Sequence, residues 1–158
     1  MVNDQYYMKL ALEEAKKALA IEEVPIGAVV ICKDKVVGRG YNFKERAHDP
    51  TGHAEIIALR DAANNLASWR LDQCQLYVTV EPCPMCAGAI VQARIKRLVY
   101  GAADPKAGAT GSLYNLVEDE RFNHQVTELK GGVLAEECRD LLKGFFNSLR
   151  KTDTRKGG

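Results

Sequence analysis

Two short segments hold the residues whose types and spacing can do chemistry: His53-Ala54-Glu55 and Pro82-Cys83-Pro84-Met85-Cys86. Two cysteines separated by two residues at the start of a helix can turn both sulfurs toward one point. The helix N-terminus also favours the thiolate, the form that binds a metal. Two thiolates and one imidazole supply three ligands of a tetrahedron, and that donor set with hydrolytic chemistry favours zinc over iron. A catalytic zinc site leaves its fourth position to water, whereas a structural site closes it with a protein ligand. Cys32, Cys74 and Cys138 fall in a strand, a loop and the core face of the last helix, and none has a paired spacing. His48 and His124 lie in loops and could reach the metal, but an open site on His53, Cys83 and Cys86 is the favoured reading. Glu55 follows His53 by two residues, roughly 200° around a helix, and is therefore not a ligand from the same face. At the first turn it can instead take a proton from the metal's water and return it elsewhere.

These residues must be placed by a sheet and its helices. Met8, Ala11, Leu12, Ala15, Ala18 and Leu19 form one apolar stripe, the mark of an amphipathic helix of about four turns. Ile26 to Cys32 is a β-branched run of a buried strand, and Lys33-Asp34 turns it into a second strand over Lys35 to Gly40. A polar loop through Asp49-Pro50-Thr51-Gly52 leads to a helix from about His53, with Ile57, Ala58, Ala62 and Leu66 on its buried face. A strand over Leu76 to Val80 precedes a helix entered through Pro84, which suits a first helical turn. Cys86, Ala89, Ile90 and Ala93 share one face of that helix. Arg97 to Tyr100 and Gln125 to Leu129 complete the strands, and a last helix over about Ala135 to Arg150 buries Cys138, Leu141, Leu142, Phe145 and Leu149. The alternation predicts an α/β fold, a three-layer α/β/α sandwich around a mixed five-stranded sheet. A short crossover helix around Ser112 to Val117 would let the last two strands run parallel.

The chain has 158 residues, 22 basic against 21 acidic, and 46% hydrophobic side chains. That length suits a single domain, assigned to 1–150, followed by a basic flexible tail at 151–158. The balanced composition excludes a collagen-like, coiled-coil or disordered chain and a general nucleic-acid coat. No apolar run reaches the roughly 20 residues of a membrane helix, and Met1 to Gln5 has no signal-peptide character. The expected compartment is the cytoplasm, where the five cysteines read as core residues or metal ligands. One local imbalance stands out, because Lys143, Arg150, Lys151, Arg155 and Lys156 face a single acid, Asp153, across 143–158. Either a solvated end of the chain or a phosphate contact accounts for it. At 100° per residue from Cys138, Phe146 falls near 80°, Arg150 near 120° and Lys143 near 140°. An aromatic thus borders two cations, the composition that a splayed base and its phosphate require.

The ordered pair H-x-E…P-C-x-x-C is the established signature of zinc nucleobase deaminases, tRNA deaminases among them. With it stand Val24-Pro25-Ile26-Gly27-Ala28-Val29, Asn42, His48-Asp49-Pro50-Thr51, Glu81, Ala87-Gly88-Ala89, Gly101 to Gly108, Gly111-Ser112-Leu113 and Phe145-Phe146. On these residues the chain resembles the cytidine-deaminase-like superfamily and, within it, the bacterial tRNA adenosine deaminases. The likeness runs from the first helix to about Arg150, although Gly52 stands where alanine is expected. It implies zinc, one per subunit, on His53, Cys83 and Cys86, with Glu55 carrying protons to N1 of adenine and to the departing amine. It implies that Asn42 and the Ala54 N–H bond the base, that Ile26 packs against it, and that Asp104 and Lys106 lie near the flanking nucleotides. It further implies a homodimer and conversion of adenosine to inosine at the wobble position of an arginine tRNA; on that substrate, the flank of the last helix described above places Lys143, Phe146 and Arg150 on the anticodon loop. Two other readings share these segments: a guanine or other free-base or nucleoside deaminase, and a non-catalytic, zinc-stapled nucleic-acid-binding module.

Overall fold

The structure, a computed structural model, describes residues 3–156, with side chains through 151. Its elements are α1 Asp4–Ala20, β1 Gly27–Cys32, β2 Lys35–Tyr41, α2 Ala54–Leu66, β3 Cys74–Val80, α3 Pro84–Ala93, β4 Arg97–Ala102, β5 Glu128–Lys130 and α4 Ala135–Lys156. The sheet order is β2-β1-β3-β4-β5. β1 is antiparallel to both β2 and β3, while β3-β4 and β4-β5 are parallel. This is the expected three-layer sandwich with its last two strands parallel.

The layers follow from alternation along the strands. Val29, Ile31, Tyr77 and Val99 pack with Met8, Ala11 and Leu12 of α1 and Cys138 of α4. Ala28, Val30, Leu76, Val78 and Leu98 face the other way, onto Ala54, Ala58 and Ala62 of α2 and Ala87 and Ile90 of α3. The hairpin between β1 and β2 turns on Lys33 and Asp34, both left-handed at φ 50° and 63°, as a type I′ turn demands.

Four expectations are corrected. Ser112 to Val117 is not a helix: the β4–β5 crossover runs through turns and an isolated bridge between Thr110 and Asn115. Gly108 and Gly111 precede the segment; within it the Ser112 N–H goes to the Glu81 carboxylate, as those of Asp104 and Thr110 do before it, and the Leu113 and Leu116 N–H groups go to the Gly108 and Ala109 carbonyls instead of to a helical ladder. The fifth strand is Glu128–Lys130, shorter and later than expected. α4 continues to Lys156, past the expected end at Arg150, so the segment read as a tail from 151 is helical through 156; residues 157–158 lie outside the described residues. Leu19, Leu66 and Leu149, placed on buried faces, are 38%, 39% and 42% exposed; Leu19 and Leu66 lie in the last turns of α1 and α2, and Leu149 lies one turn past Phe145, the last buried residue of α4.

Candidate active site

α2 reaches the sheet because two glycines let it. A Cβ on Gly40 would stand 2.4 Å from the Ala54 carbonyl oxygen, and one on Gly38 would stand 2.4 Å from that of Ala58. Small residues at 54, 58 and 62 complete this close approach, which brings the first turn of α2 down onto β2. His53 is the residue before that turn and has no side-chain cap of its own. The Ala54 N–H donates instead to Asn42 Oδ1 at 2.8 Å, from the end of β2. Gly52 is also needed where alanine was expected, since a Cβ there would meet the Phe43 carbonyl oxygen at 2.5 Å.

On the other side, β3 runs out through Glu81 and Pro82 into α3. Cys83 is the residue before the helix, Pro84 is its first residue, and Cys86, three positions after Cys83, is buried. His53 Nδ1 lies 3.6 Å from Cys83 Sγ and 3.5 Å from Cys86 Sγ. A tetrahedral zinc with Zn–S near 2.3 Å and Zn–N near 2.05 Å requires N···S separations of about 3.6 Å, and both separations from His53 match it. Among the described residues no other His, Cys or carboxylate joins this group. His124 Nε2 instead donates to the Ile95 carbonyl, and His48 is exposed in a left-handed loop position. His53, Cys83 and Cys86 could thus hold a metal ion with three protein donors, leaving a fourth position for water.

Charge is distributed across this cluster as a metal site needs. Cys83 is pulled down to about 4 by the hydrogen bond from Cys86 and by the neighbouring imidazole. Cys86 is pushed up by the thiolate of Cys83 and by burial, so one proton remains on the pair until a cation displaces it. His53 is raised by its bond to Cys83. Glu55 is 4% exposed and touches Cys86. Burial pushes its carboxyl up to about 7.

Asn42 and the Ala54 N–H are brought together, though here they bond each other. Ile26 stands beside them, its carbonyl accepting from the Asn42 N–H at 3.1 Å. The loop that follows is hung on Glu23, a nearly fully buried carboxylate that accepts from the N–H groups of Lys44, Glu45 and Arg46. Those three donors outweigh burial and hold its pKa below the usual carboxylate range. Asp104 uses its own Oδ1 to close a turn with the N–H groups of Lys106 and Ala107, which leaves Lys106 exposed at the tip. Lys143, Phe146 and Arg150 line one cavity of about 460 Å³ with Ala102, Ala103 and Arg139. Phe146 is half-exposed and rests edge-on against buried Phe145 at 5.4 Å. Sequence reading assigned no role to Glu23 or Glu81; the usable signal was an acid bordering an apolar strand, where burial requires donors.

A family model described as MafB19-like deaminase matches residues 2–150. The tRNA-specific adenosine deaminase of Bacillus subtilis (strain 168) is 49% identical over 151 residues, 96% of this chain and 93% of that protein. A solved structure from studies of A-to-I editing by tRNA:A34 deaminases at the wobble position of transfer RNA superposes with TM-score 0.83 at 42% identity, covering 87% of this chain and 99% of that one. The guanine deaminase of Bacillus subtilis superposes with TM-score 0.62 at 38% identity, over 65% of this chain and 66% of that one.

Proposed function

This chain belongs to the MafB19-like deaminase family, and on that premise we propose that it converts adenosine to inosine at the wobble position of tRNA by zinc-dependent hydrolysis, with an arginine tRNA as substrate. The observation that carries the reading is the meeting of His53 Nδ1, Cys83 Sγ and Cys86 Sγ at zinc-like separations with Glu55 buried beside them. A zinc ion held by these three residues supplies an acidified water as the nucleophile. Glu55 would take one proton from the attacking water and pass it to N1 as the oxygen bonds C6, then move the remaining proton of that C6 hydroxyl to the exocyclic nitrogen, so that the C6–N bond breaks, ammonia leaves and a C6 carbonyl remains. Its elevated pKa suits a group that must both accept and release a proton near neutrality. Asn42 and the Ala54 N–H bond the base, exchanging part of their mutual hydrogen bond for it, and Ile26 packs against the purine.

Asp104 and Lys106 meet the flanking nucleotides, while the cavity bordered by Lys143, Phe146 and Arg150 takes a splayed base and its phosphate from the anticodon loop. Two copies of the chain associate through the apolar face between α2 and α3. The reaction belongs in the cytoplasm, a setting that suits five cysteines none of which is disulfide-bonded. No helix of the described residues is long and apolar enough to cross a membrane.

The deciding experiment incubates the zinc-loaded protein with an arginine tRNA anticodon stem-loop, and separately with guanine, adenosine and cytidine. Inosine at the wobble position is expected. Ammonia from guanine or a free nucleoside alone would transfer the site to the free-base reading. Zinc binding with no turnover on any substrate would make it a structural module. In the same titrations Phe146→Ala and Arg150→Ala are expected to weaken apparent affinity for the stem-loop; unchanged affinity removes both from the RNA contact.

A further inference from the structure

Glu81 is 3% exposed and precedes the metal-binding turn by one residue, yet it belongs to no ligand group. Its two oxygens accept from four donors. Oε1 takes the Asp104 N–H at 3.0 Å and the Ser112 hydroxyl; Oε2 takes the N–H groups of Thr110 at 3.2 Å and Ser112 at 2.9 Å. A carboxylate offers about four lone-pair positions, so all are filled, and all four donors come from one loop. No described lysine or arginine forms an ion pair with it. The converging backbone dipoles balance its charge in place of a cation.

The loop is shaped for this carboxylate. A Cβ on Gly108 would stand 2.3 Å from the Glu81 carboxyl, so glycine keeps its place open. The backbone reinforces the junction, with the Glu81 N–H donating to the Ala102 carbonyl and the Ala109 N–H donating to that of Pro82. One short segment, 81–86, thus carries two metal-binding cysteines at one end and suspends the loop of Asp104 and Lys106 from the other. We propose that Glu81 is a positioning residue for RNA: it fixes the 104–112 loop in register with the reacting atoms, so that Lys106 meets the nucleotide beside the target adenosine. This deepens the tRNA reading and rests on it for what the loop touches.

The test uses Glu81→Gln. Glutamine keeps the shape but leaves one acceptor oxygen and turns an NH2 group toward N–H donors. The zinc-loaded variant is expected to raise KM for the anticodon stem-loop about tenfold while kcat stays within about threefold. Zinc content is expected to be unchanged, and amide exchange at Asp104, Thr110 and Ser112 to accelerate. Combining Glu81→Gln with Lys106→Ala is expected to cost no more than the worse single change, because both act through one contact. Additive losses, or an unchanged KM with native exchange rates, would overturn the proposal. Should Glu81→Gln not fold, Gly108→Ala displaces the same carboxylate from the loop side and is read by the same measurements. If the wild-type protein leaves the stem-loop unreacted, the tRNA reading fails by itself, and the proposal then falls with its RNA role even where exchange shows that Glu81 orders the loop.

Discussion

At the scale of single residues, the chemistry depends on a division of labour between groups only a few ångströms apart. His53, Cys83 and Cys86 differ from Glu55 in what they can give a bound cation: the first three offer soft or nitrogen donors at tetrahedral separations, and Glu55 offers a buried carboxyl beside them. Replacing Glu55 with glutamine is therefore expected to lower turnover on the stem-loop by about 10²- to 10⁴-fold, the usual worth of a positioned proton carrier. Zinc, measured by elemental analysis, is expected to remain at one per chain. Loss of the metal would make Glu55 a ligand, and surviving turnover would remove it from proton transfer. These four residues were legible in the sequence because each pair sits on one helix start, where spacing fixes geometry. Glu23 and Glu81 were not, because their partners lie in loops about twenty to thirty residues away and exist as donors only once those loops have closed.

At the scale of elements, α1 is tied to the far end of the sheet by ions. Asp4 bonds Arg97 through both oxygens, at 2.8 and 2.9 Å, while Arg97 also pairs with Glu128 and Tyr77 donates to Asp4. The Arg97 guanidinium holds the Asp4 carboxyl well below the usual carboxylate range. A carboxyl depressed in the folded state stabilises the fold above its unfolded pKa, and that stability is lost as pH falls through the folded value. Asp4→Asn is thus expected to cost about 2 kcal/mol near neutral pH. Thermal melts of the two proteins should converge only as pH drops below about 4, the unfolded value. A gap that persisted into strong acid would show that packing, and not charge, holds this corner. The Met8 to Leu19 stripe identified α1, but the staple at its first turn brings residues 4, 97 and 128 together, which no local pattern encodes. The missing crossover helix has the same cause, since Ser112 to Val117 is a plausible helix until the Ser112 N–H goes to Glu81 and those of Leu113 and Leu116 go to the Gly108 and Ala109 carbonyls.

At the scale of the whole molecule, the two helical layers are unequal. The face between α2 and α3 leaves a cavity of about 400 Å³ lined by Ile56, Leu59, Ala63 and Ala93, with Trp69 at its rim 61% exposed. Arg70 and Arg94 stand over the indole at 5.4 and 5.9 Å. An exposed tryptophan flanked by arginines is the composition of an interface core. Sedimentation at micromolar concentration is expected to give a species of twice the 17.4 kDa chain mass, and Trp69→Glu to return it to one chain. A wild-type monomer would sink the homodimer.

The sequence by itself determined the two-faced sheet, every element but the crossover between the last two strands, and the two helix starts that carry His53, Glu55, Cys83 and Cys86, because each depends on periodicity or on spacing within one turn of helix. Tertiary structure alone decided how His53 meets the cysteines thirty residues away, which required Gly38 and Gly40 to admit α2 onto β2. It also decided that the β4–β5 crossover is a loop gathered on Glu81 and that Leu149 is exposed while Phe145 is buried. Those outcomes turn on which distant donor, carbonyl or void lies opposite a residue. That depends on the packing of every layer at once, and neighbours in sequence carry no record of it.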